Sequence, residues 1–151
     1  MDNQDVINTL NKLIETCKDG EYGFQSCAEH VHSTELRQTF AARASDCRQA
    51  AGELQTMVRT LGGKAEDDGT TAGAVHRGWV SVKGALAGFS DVAMLEECER
   101  GEDAAVGRYR KALEKDLPST VRMLVQRQSD GAQRNHDQNR ALRDQARVSV
   151  S

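Results

Sequence analysis

Residues 34–73 read TELRQTFAARASDCRQAAGELQTMVRTLGGKAEDDGTTAG, a helical pattern followed by a long segment without periodicity. Apolar or small residues recur along its first part at the three-and-four spacing of one helix face: Leu36, Phe40, Ala44, Cys47, Ala51, Leu54, Val58 and Leu61. Gly62 and Gly63 end this helix, because glycine tolerates the left-handed backbone that follows many helix ends. The residues that follow carry glycine, acids and threonine without periodicity, so they indicate an exposed connection.

A first helix is predicted over about residues 4–31, before the stretch just described. Its stripe comprises Val6, Leu10, Leu13, Ile14, Cys17, Phe24, Ala28 and Val31. Asn3 or Asp2 can cap its start, and Ser33 or Thr34 can cap the second helix, predicted over about 34–61. Because the turn between the two helices is so short, they must form an antiparallel hairpin.

Two more helices are predicted in the second half of the chain. One spans about residues 90–116 and stops before Pro118, since the residue before a proline avoids helical geometry; the other spans about 119–144. Residues 62–89 form a long link, with a short amphipathic helix predicted over about 74–87. Such a link can return the chain along the full height of the bundle, at about 1.5 Å per helical residue or about 3.3 Å per extended one. This crossover distinguishes a ferritin-like bundle from an up-and-down bundle.

The composition fits one domain and excludes several classes of function. A chain of 151 residues can bury a continuous core without disulfides or a structural metal, and 4% aromatic residues with 1 proline disfavour a strand-rich fold. A formal net charge of -3 gives no broad basic field, so nucleic acid is not an expected partner. The first residues lack the pattern of a secretory signal, and no apolar run could span a bilayer. We therefore expect a cytoplasmic protein without membrane association, and its four cysteines, which lack C-x-x-C spacing, as free thiols.

A few polar residues interrupt the apolar stripes, and they carry the functional prediction. They are Glu21, Glu99, Glu102 and His136, with Cys47 and Gln128 as polar neighbours in the core. If the crossover returns the chain to the first turn, the first, third and fourth helices bring these acids and the imidazole to one level. Such groups are the ingredients of a site for iron, manganese or zinc. The di-iron pattern is incomplete, because helix two offers no carboxylate on its stripe and helix four offers no glutamate.

The competing interpretation is a buried polar network that closes without a metal. In it the acids and His136 satisfy one another, or an arginine neutralises the acids. The arginines in reach are Arg43, Arg48 and Arg100. The sequence favours this network over metal binding because the ligand set is short. A further hypothesis is a redox role for Cys17 and Cys47, which are predicted to lie nearly level.

The segment from His76 to Trp79 has two interpretations. His76, Arg77 and Trp79 could form a recognition surface, because a tryptophan beside an arginine is typical of interface anchors. The favoured alternative is that the tryptophan covers the end of the bundle.

Several short blocks of the sequence together resemble a known family. They are Lys18-Asp19-Gly20, Tyr22-Gly23-Phe24, His76-Arg77-Gly78-Trp79, Glu97-Cys98-Glu99-Arg100-Gly101-Glu102-Asp103 and His136-Asp137. As a set they resemble a bacterial family of ferritin-like four-helix-bundle proteins described as a domain of unknown function. The resemblance covers nearly the whole chain and implies the ferritin-like crossover. It implies no established activity.

We therefore expect a single all-α domain, a ferritin-like four-helix bundle of two antiparallel hairpins joined by a long crossover. The preferred function is a non-enzymatic bundle in a stress-related role that forms a homo-oligomer or binds a protein partner. The alternative is a carboxylate and histidine metal-binding protein that oxidises ferrous iron. The sequence leaves open whether the protein is an enzyme.

Overall fold

The structure, a computed structural model, describes residues 1–66 and 90–150, with side chains described through residue 148. Its four helices are α1 (Asn3–His30), α2 (Thr34–Thr60), α3 (Asp91–Leu113) and α4 (Ser119–Val150). No strand occurs among these residues. The short helix predicted over 74–87 lies outside the described part of the chain.

Side chains cap three of the helices, the first two of them at residues that the sequence indicated. The Asp2 carboxylate accepts a hydrogen bond from the Asp5 amide at 2.8 Å, and the hydroxyls of Ser33 and Ser90 do the same at the starts of α2 and α3. Each bond satisfies a first-turn amide that has no partner within its own helix. Gly62 follows α2 with a φ of 81°, the left-handed conformation that glycine adopts without strain.

The crossover is visible in the contacts at both ends of α3. Asp91, at its start, accepts hydrogen bonds from the backbone amides of His32 and Ser33 in the turn between α1 and α2, at 2.8 and 3.0 Å. Past its other end, the Lys115 ammonium donates to the Thr9 hydroxyl near the start of α1, at 3.1 Å. Helix α3 therefore begins at the end of the bundle where α2 begins, and α2 and α3 run in the same direction.

Two helix ends differ from the sequence predictions of 116 and 144. Helix α3 stops earlier, at Leu113, whose carbonyl accepts a hydrogen bond from the Arg122 guanidinium at 3.0 Å. Helix α4 continues to Val150, because its last turns make tertiary contacts that a local pattern does not reveal. Arg147 pairs with Glu96 on α3 at 2.8 Å, and Ala146 packs against the apolar core.

The buried apolar residues form two clusters, one toward each end of the bundle. The lower cluster comprises Val6, Ile7, Leu10, Leu13, Ile14, Cys17, Ala51, Leu54, Val58, Ala65, Tyr109, Ala112, Leu117, Val121 and Val125. The upper cluster comprises Phe24, Cys27, Val31, Phe40, Ala44, Met94, Leu95 and Cys98. Each fully buried large side chain contributes about 1.5–3 kcal/mol to stability relative to an exposed one. The polar residues described below lie between these clusters.

Gly20 allows α1 and α2 to approach closely at the level between the clusters. A Cβ atom on Gly20 would lie 2.8 Å from Cys47 Sγ, which is closer than two such atoms can pack. We expect Gly20→Ala to lower the free energy of unfolding by about 1–2 kcal/mol, because overpacking forces neighbouring groups to shift. Urea unfolding monitored by circular dichroism measures this change.

Gly107→Ala is the matched control for this prediction. Gly107 also lies inside a helix, but a Cβ atom on it would meet no atom within 4 Å. This variant should gain about 0.5–1 kcal/mol, since alanine is the better helix former. Equal gains in both variants would show that the contact at Gly20 is not restrictive.

Candidate metal centre

The candidate site lies between α3 and α4, above the lower cluster. Glu99, Glu102 and Asp103 are spaced three and four residues apart on α3, so they share one face of that helix. His136 and Asn139 share a face of α4 for the same reason. The two antiparallel helices turn these faces toward each other, and the five residues form what we call the polar layer.

Three side chains of the polar layer converge closely enough to share one ion. One potential ligand atom from each of Glu99, Asp103 and His136 lies within 4.8 Å of the other two. Glu99 and His136 are buried, at 7% and 5% exposure, whereas Asp103 reaches inward from an exposed position. His136 Nε2 contacts Asp103 Oδ1, and His136 Nδ1 lies 3.4 Å from an Asp137 oxygen. With an ion bound, a proton on Nδ1 facing Asp137 would leave the Nε2 lone pair free for the metal, as in many metal-binding histidines.

Two arginines of α4 compensate the charge of Glu99. Arg140 Nε lies 3.4 Å from Glu99 Oε1, and Arg143 Nη1 contacts Glu99 Oε2. The Arg140 side chain is 55% exposed, so it can leave the carboxylate without opening the core. Both contacts occupy oxygens that a metal ion would need.

The polar layer concentrates unsatisfied hydrogen-bonding groups. Within the part of the chain that the structure describes, every buried side-chain nitrogen or oxygen without a hydrogen bond belongs to this layer or to Arg43 of α2 beside it. The atoms are Arg43 Nε, Glu102 Oε2, Asn139 Nδ2 and Asn139 Oδ1, together with His136 Nε2, which contacts the Asp103 carboxylate without hydrogen-bond geometry. An unsatisfied buried polar group costs about 1–3 kcal/mol, so such atoms normally have a water or an ion as partner.

Glu102 is the most strongly perturbed carboxyl of the layer. Burial raises the pKa of Glu102 to about 8, against the opposing effects of the Arg43 charge and the neighbouring Asn139 amide. The charges of Asp103 and Glu99 raise this pKa further. Glu102 is therefore mostly protonated at neutral pH unless a cation approaches it.

Of the predicted ligands, Glu21 lies apart from the converging side chains, and so does Gln128, which was predicted as their polar neighbour. Glu21 is not among the converging ligands; its carboxylate pairs with Arg48 Nε at 2.5 Å and with Lys18 Nζ at 3.8 Å. Gln128 is buried against the lower cluster, where Oε1 accepts a hydrogen bond from the Tyr109 hydroxyl at 2.8 Å. Of the four predicted ligands, Glu99 and His136 meet in the ligand group, and Glu102 lies beside it.

Asp103 was not singled out by the sequence analysis. It is off the apolar stripe of α3, and its side chain is 60% exposed, so it is not one of the polar residues that interrupt the stripe. Its position four residues after Glu99 was the available signal, because residues at that spacing are neighbours on a helix.

The predicted redox pair, Cys17 and Cys47, lies in surroundings that suppress thiolate formation. Burial raises the pKa of Cys17 to about 11, even though a contact with the Tyr109 hydroxyl at 3.2 Å opposes the shift. Burial also raises the pKa of Cys47 well above its ordinary value. Because the thiolate is the reactive form, both groups are poor nucleophiles. The other predicted surface, at His76, Arg77 and Trp79, lies outside the described residues.

A cavity of about 440 Å³ opens beside Glu102. It exists because all four helices present small residues at this level: Gly20, Ala50, Gly101, Ala105, Gly131 and Ala132. Cys47, Glu102 and Asn135 also line it, so water in the cavity can reach Glu102, on one side of the polar layer.

A four-helix bundle with this crossover belongs to the ferritin-like fold class. Within that class, the chain belongs to the family described as "Domain of unknown function (DUF2383)", whose model matches residues 5–115. No curated protein matches the sequence. Among the described helices, none is both long enough and apolar enough to cross a bilayer.

Similar solved structures share this fold. A dodecameric thioferritin, the bacterioferritin-related protein from Bacteroides fragilis, superposes with a TM-score of 0.83 at 18% identity, over 99% of this chain and 91% of the other. A point mutant of Dps1 from Mycobacterium smegmatis gives 0.75 at 18% identity, over 92% and 95%. Dps from the same organism, in a tetragonal form, gives 0.79 at 19% identity, over 92% and 86%. At these identities the likeness shows the fold alone.

Proposed function

We propose that this protein binds a divalent transition-metal ion through Glu99, Asp103 and His136. The observation that carries the proposal is that the potential ligand atoms and the unsatisfied buried polar atoms lie in the same layer of the bundle. Three potential ligand atoms lie within 4.8 Å of one another, in the layer where the unsatisfied buried polar atoms are concentrated. A purely structural network would be expected to satisfy its own members.

The donor set limits the choice of ion. Two carboxylates and one imidazole suit iron(II), manganese(II) or zinc(II), whereas a thiolate-rich set would favour softer ions. Glu102 can add another oxygen after losing its proton, so metal binding should release protons. Because the Asp103 side chain is 60% exposed, water from solvent can fill the remaining positions. A bound ion would supply Lewis-acid or redox chemistry there, including ferrous-iron oxidation.

Arg140 and Arg143 compete with a metal ion for the Glu99 carboxylate. Without an ion, Arg140 and Arg143 compensate the Glu99 charge, because a buried carboxylate needs a cation nearby. An entering ion competes with both guanidinium groups for the same oxygens. Binding should therefore be weaker than at a site whose carboxylates have no arginine partner.

Metal analysis tests the proposal directly. Protein purified without chelator or a nickel column should retain about one ion per chain at the site, and metal-free protein should bind added Mn²⁺ in an electron paramagnetic resonance titration. Binding should also raise the unfolding temperature, since an ion bound only by the folded state stabilises it. Metal-free protein that neither binds nor is stabilised by Mn²⁺, Fe²⁺ or Zn²⁺ would refute the proposal.

We also propose that the chain self-associates. Support comes from the likeness to a protein described as dodecameric, which covers 99% of this chain. Size-exclusion chromatography with light scattering should give a mass of several 16.5 kDa subunits. A mass of one subunit at every concentration tested would contradict self-association, and affinity capture would then test the protein-partner alternative.

A further inference from the structure

We infer that Cys27 and Cys98 form a dithiol pair that hydrogen peroxide converts into an intramolecular disulfide between α1 and α3. Their sulfur atoms lie 3.5 Å apart, and the Cys98 thiol donates a hydrogen bond to Cys27 Sγ. Both side chains are buried in the upper cluster, at 3% and 0% exposure. This inference is independent of the proposed metal site.

The geometry requires little movement to form the bond. A disulfide has a sulfur–sulfur distance of about 2.05 Å, so the two sulfur atoms need to approach by about 1.5 Å, a displacement that side-chain rotation can supply. The other two cysteines lack this arrangement. Cys17 Sγ is engaged by the Tyr109 hydroxyl, and Cys47 packs against Gly20.

Local opening can give peroxide access to the pair. Cys27 lies in the last turn of α1, where its carbonyl accepts the hydrogen bond from Val31 that ends the helix. Helix ends open more readily than helix centres, so Cys27 should meet the oxidant first. Cys98 lies deeper, inside α3, where burial raises the pKa of its thiol well above the ordinary value. It therefore acts second, once local opening has brought water to it.

The oxidation proceeds in two balanced steps. The Cys27 sulfur attacks one peroxide oxygen, the O–O bond breaks, and the products are the Cys27 sulfenic acid and water. The Cys98 sulfur then attacks the Cys27 sulfur, the S–O bond breaks, and the hydroxyl leaves as a second water with the Cys98 proton. Two thiols lose two electrons in total, and one peroxide is reduced to two waters.

The new bond should stabilise the fold. It links positions 71 residues apart, in the two long helices that frame the upper cluster. A cross-link over so long a stretch restricts the unfolded chain strongly, so the midpoint of thermal unfolding should rise by several degrees.

Non-reducing peptide mapping tests the inference on the intact chain. Cleavage after lysine and arginine places every cysteine in a different peptide, with Cys27 in residues 19–37 and Cys98 in residues 84–100. After treatment with hydrogen peroxide and alkylation of free thiols, we expect these two peptides to be joined. Dithiothreitol should separate them and reverse the rise in unfolding temperature.

Alanine variants provide the controls. Cys27→Ala and Cys98→Ala should each lose the cross-link and the thermal shift, whereas Cys17→Ala should keep both. The wild-type map does not depend on whether a variant folds. Four alkylated thiols after oxidation, a Cys17–Cys47 link, or sulfinic acids without any Cys27–Cys98 link would each overturn the inference.

Discussion

Replacing His136 by alanine is expected to weaken Mn²⁺ binding on the order of 100-fold, because it removes the only nitrogen ligand of the proposed site. Asp103→Asn should have a similar effect, since the amide lacks the charge of the carboxylate. The two variants complement each other: His136 is buried and its loss can disturb the core, whereas the Asp103 side chain is 60% exposed and its loss should leave folding intact. Titration of the metal-free proteins with Mn²⁺ gives both affinities.

Asp130→Asn is the matched control for the ligand variants. Asp130, on α4, is an exposed carboxylate like Asp103, but it accepts a hydrogen bond from Gln126 and takes no part in the polar layer. This variant should bind Mn²⁺ as the wild type does. If Asp103→Asn also retained wild-type affinity, Asp103 could not be a ligand.

Arg143→Gln separates a metal site from a closed ion-pair network. Removing this competitor for Glu99 should strengthen Mn²⁺ binding by about tenfold, on the order of 1.4 kcal/mol. Arg147→Gln should change nothing, because Arg147 pairs with Glu96 instead. In a network without a metal role, Arg143→Gln would only destabilise the fold, by leaving Glu99 without its partner.

The sequence predicted the level of the candidate site residues along the bundle axis better than the neighbour that each side chain meets. Counting from the helix turns placed Glu99 level with His136, and these two residues meet. The same count placed Glu21 at that level, but it pairs with Arg48 of α2 instead. A count of residues along a helix gives the level of a side chain, whereas the rotation of the helix about its axis decides which neighbour that side chain meets.

Other features depend on several helices at once, and no local pattern reveals them. The cavity arises because all four helices present small residues at one level. Their levels along the helices predicted a pairing of Cys17 with Cys47, whereas the close sulfur contact joins Cys27 and Cys98, 71 residues apart. Helix α4 passes its predicted end because Arg147 and Ala146 make contacts with other elements. In each case the feature depends on packing between helices, which the helix propensity of a single segment does not determine.

Glu102→Gln is expected to make the metal-free protein more stable above pH 8 and to flatten its stability between pH 5 and pH 8. The pKa of Glu102 is raised to about 8 in the folded protein from an ordinary value of 4.5. Between these values the folded state holds a proton that the unfolded state has released, so the free energy of unfolding falls as pH rises through this window. In the wild type the free energy of unfolding should fall by on the order of 4 kcal/mol across the window. Glutamine has no proton to lose, so the variant avoids this fall.

The groups that face Glu102 determine how this experiment must be done. Arg43 opposes the shift from α2, whereas Glu99 and Asp103 on α3 increase it, so a bound divalent ion would reverse the balance and hold Glu102 ionised. Urea unfolding is therefore measured at pH 5, 6.5 and 8.5 with chelator present. Glu114→Gln, at an exposed glutamate just after α3, should keep the wild-type slope. Parallel pH profiles for wild type and Glu102→Gln would mean that Glu102 is ionised in the folded protein, and that the polar layer already contains the cation it needs.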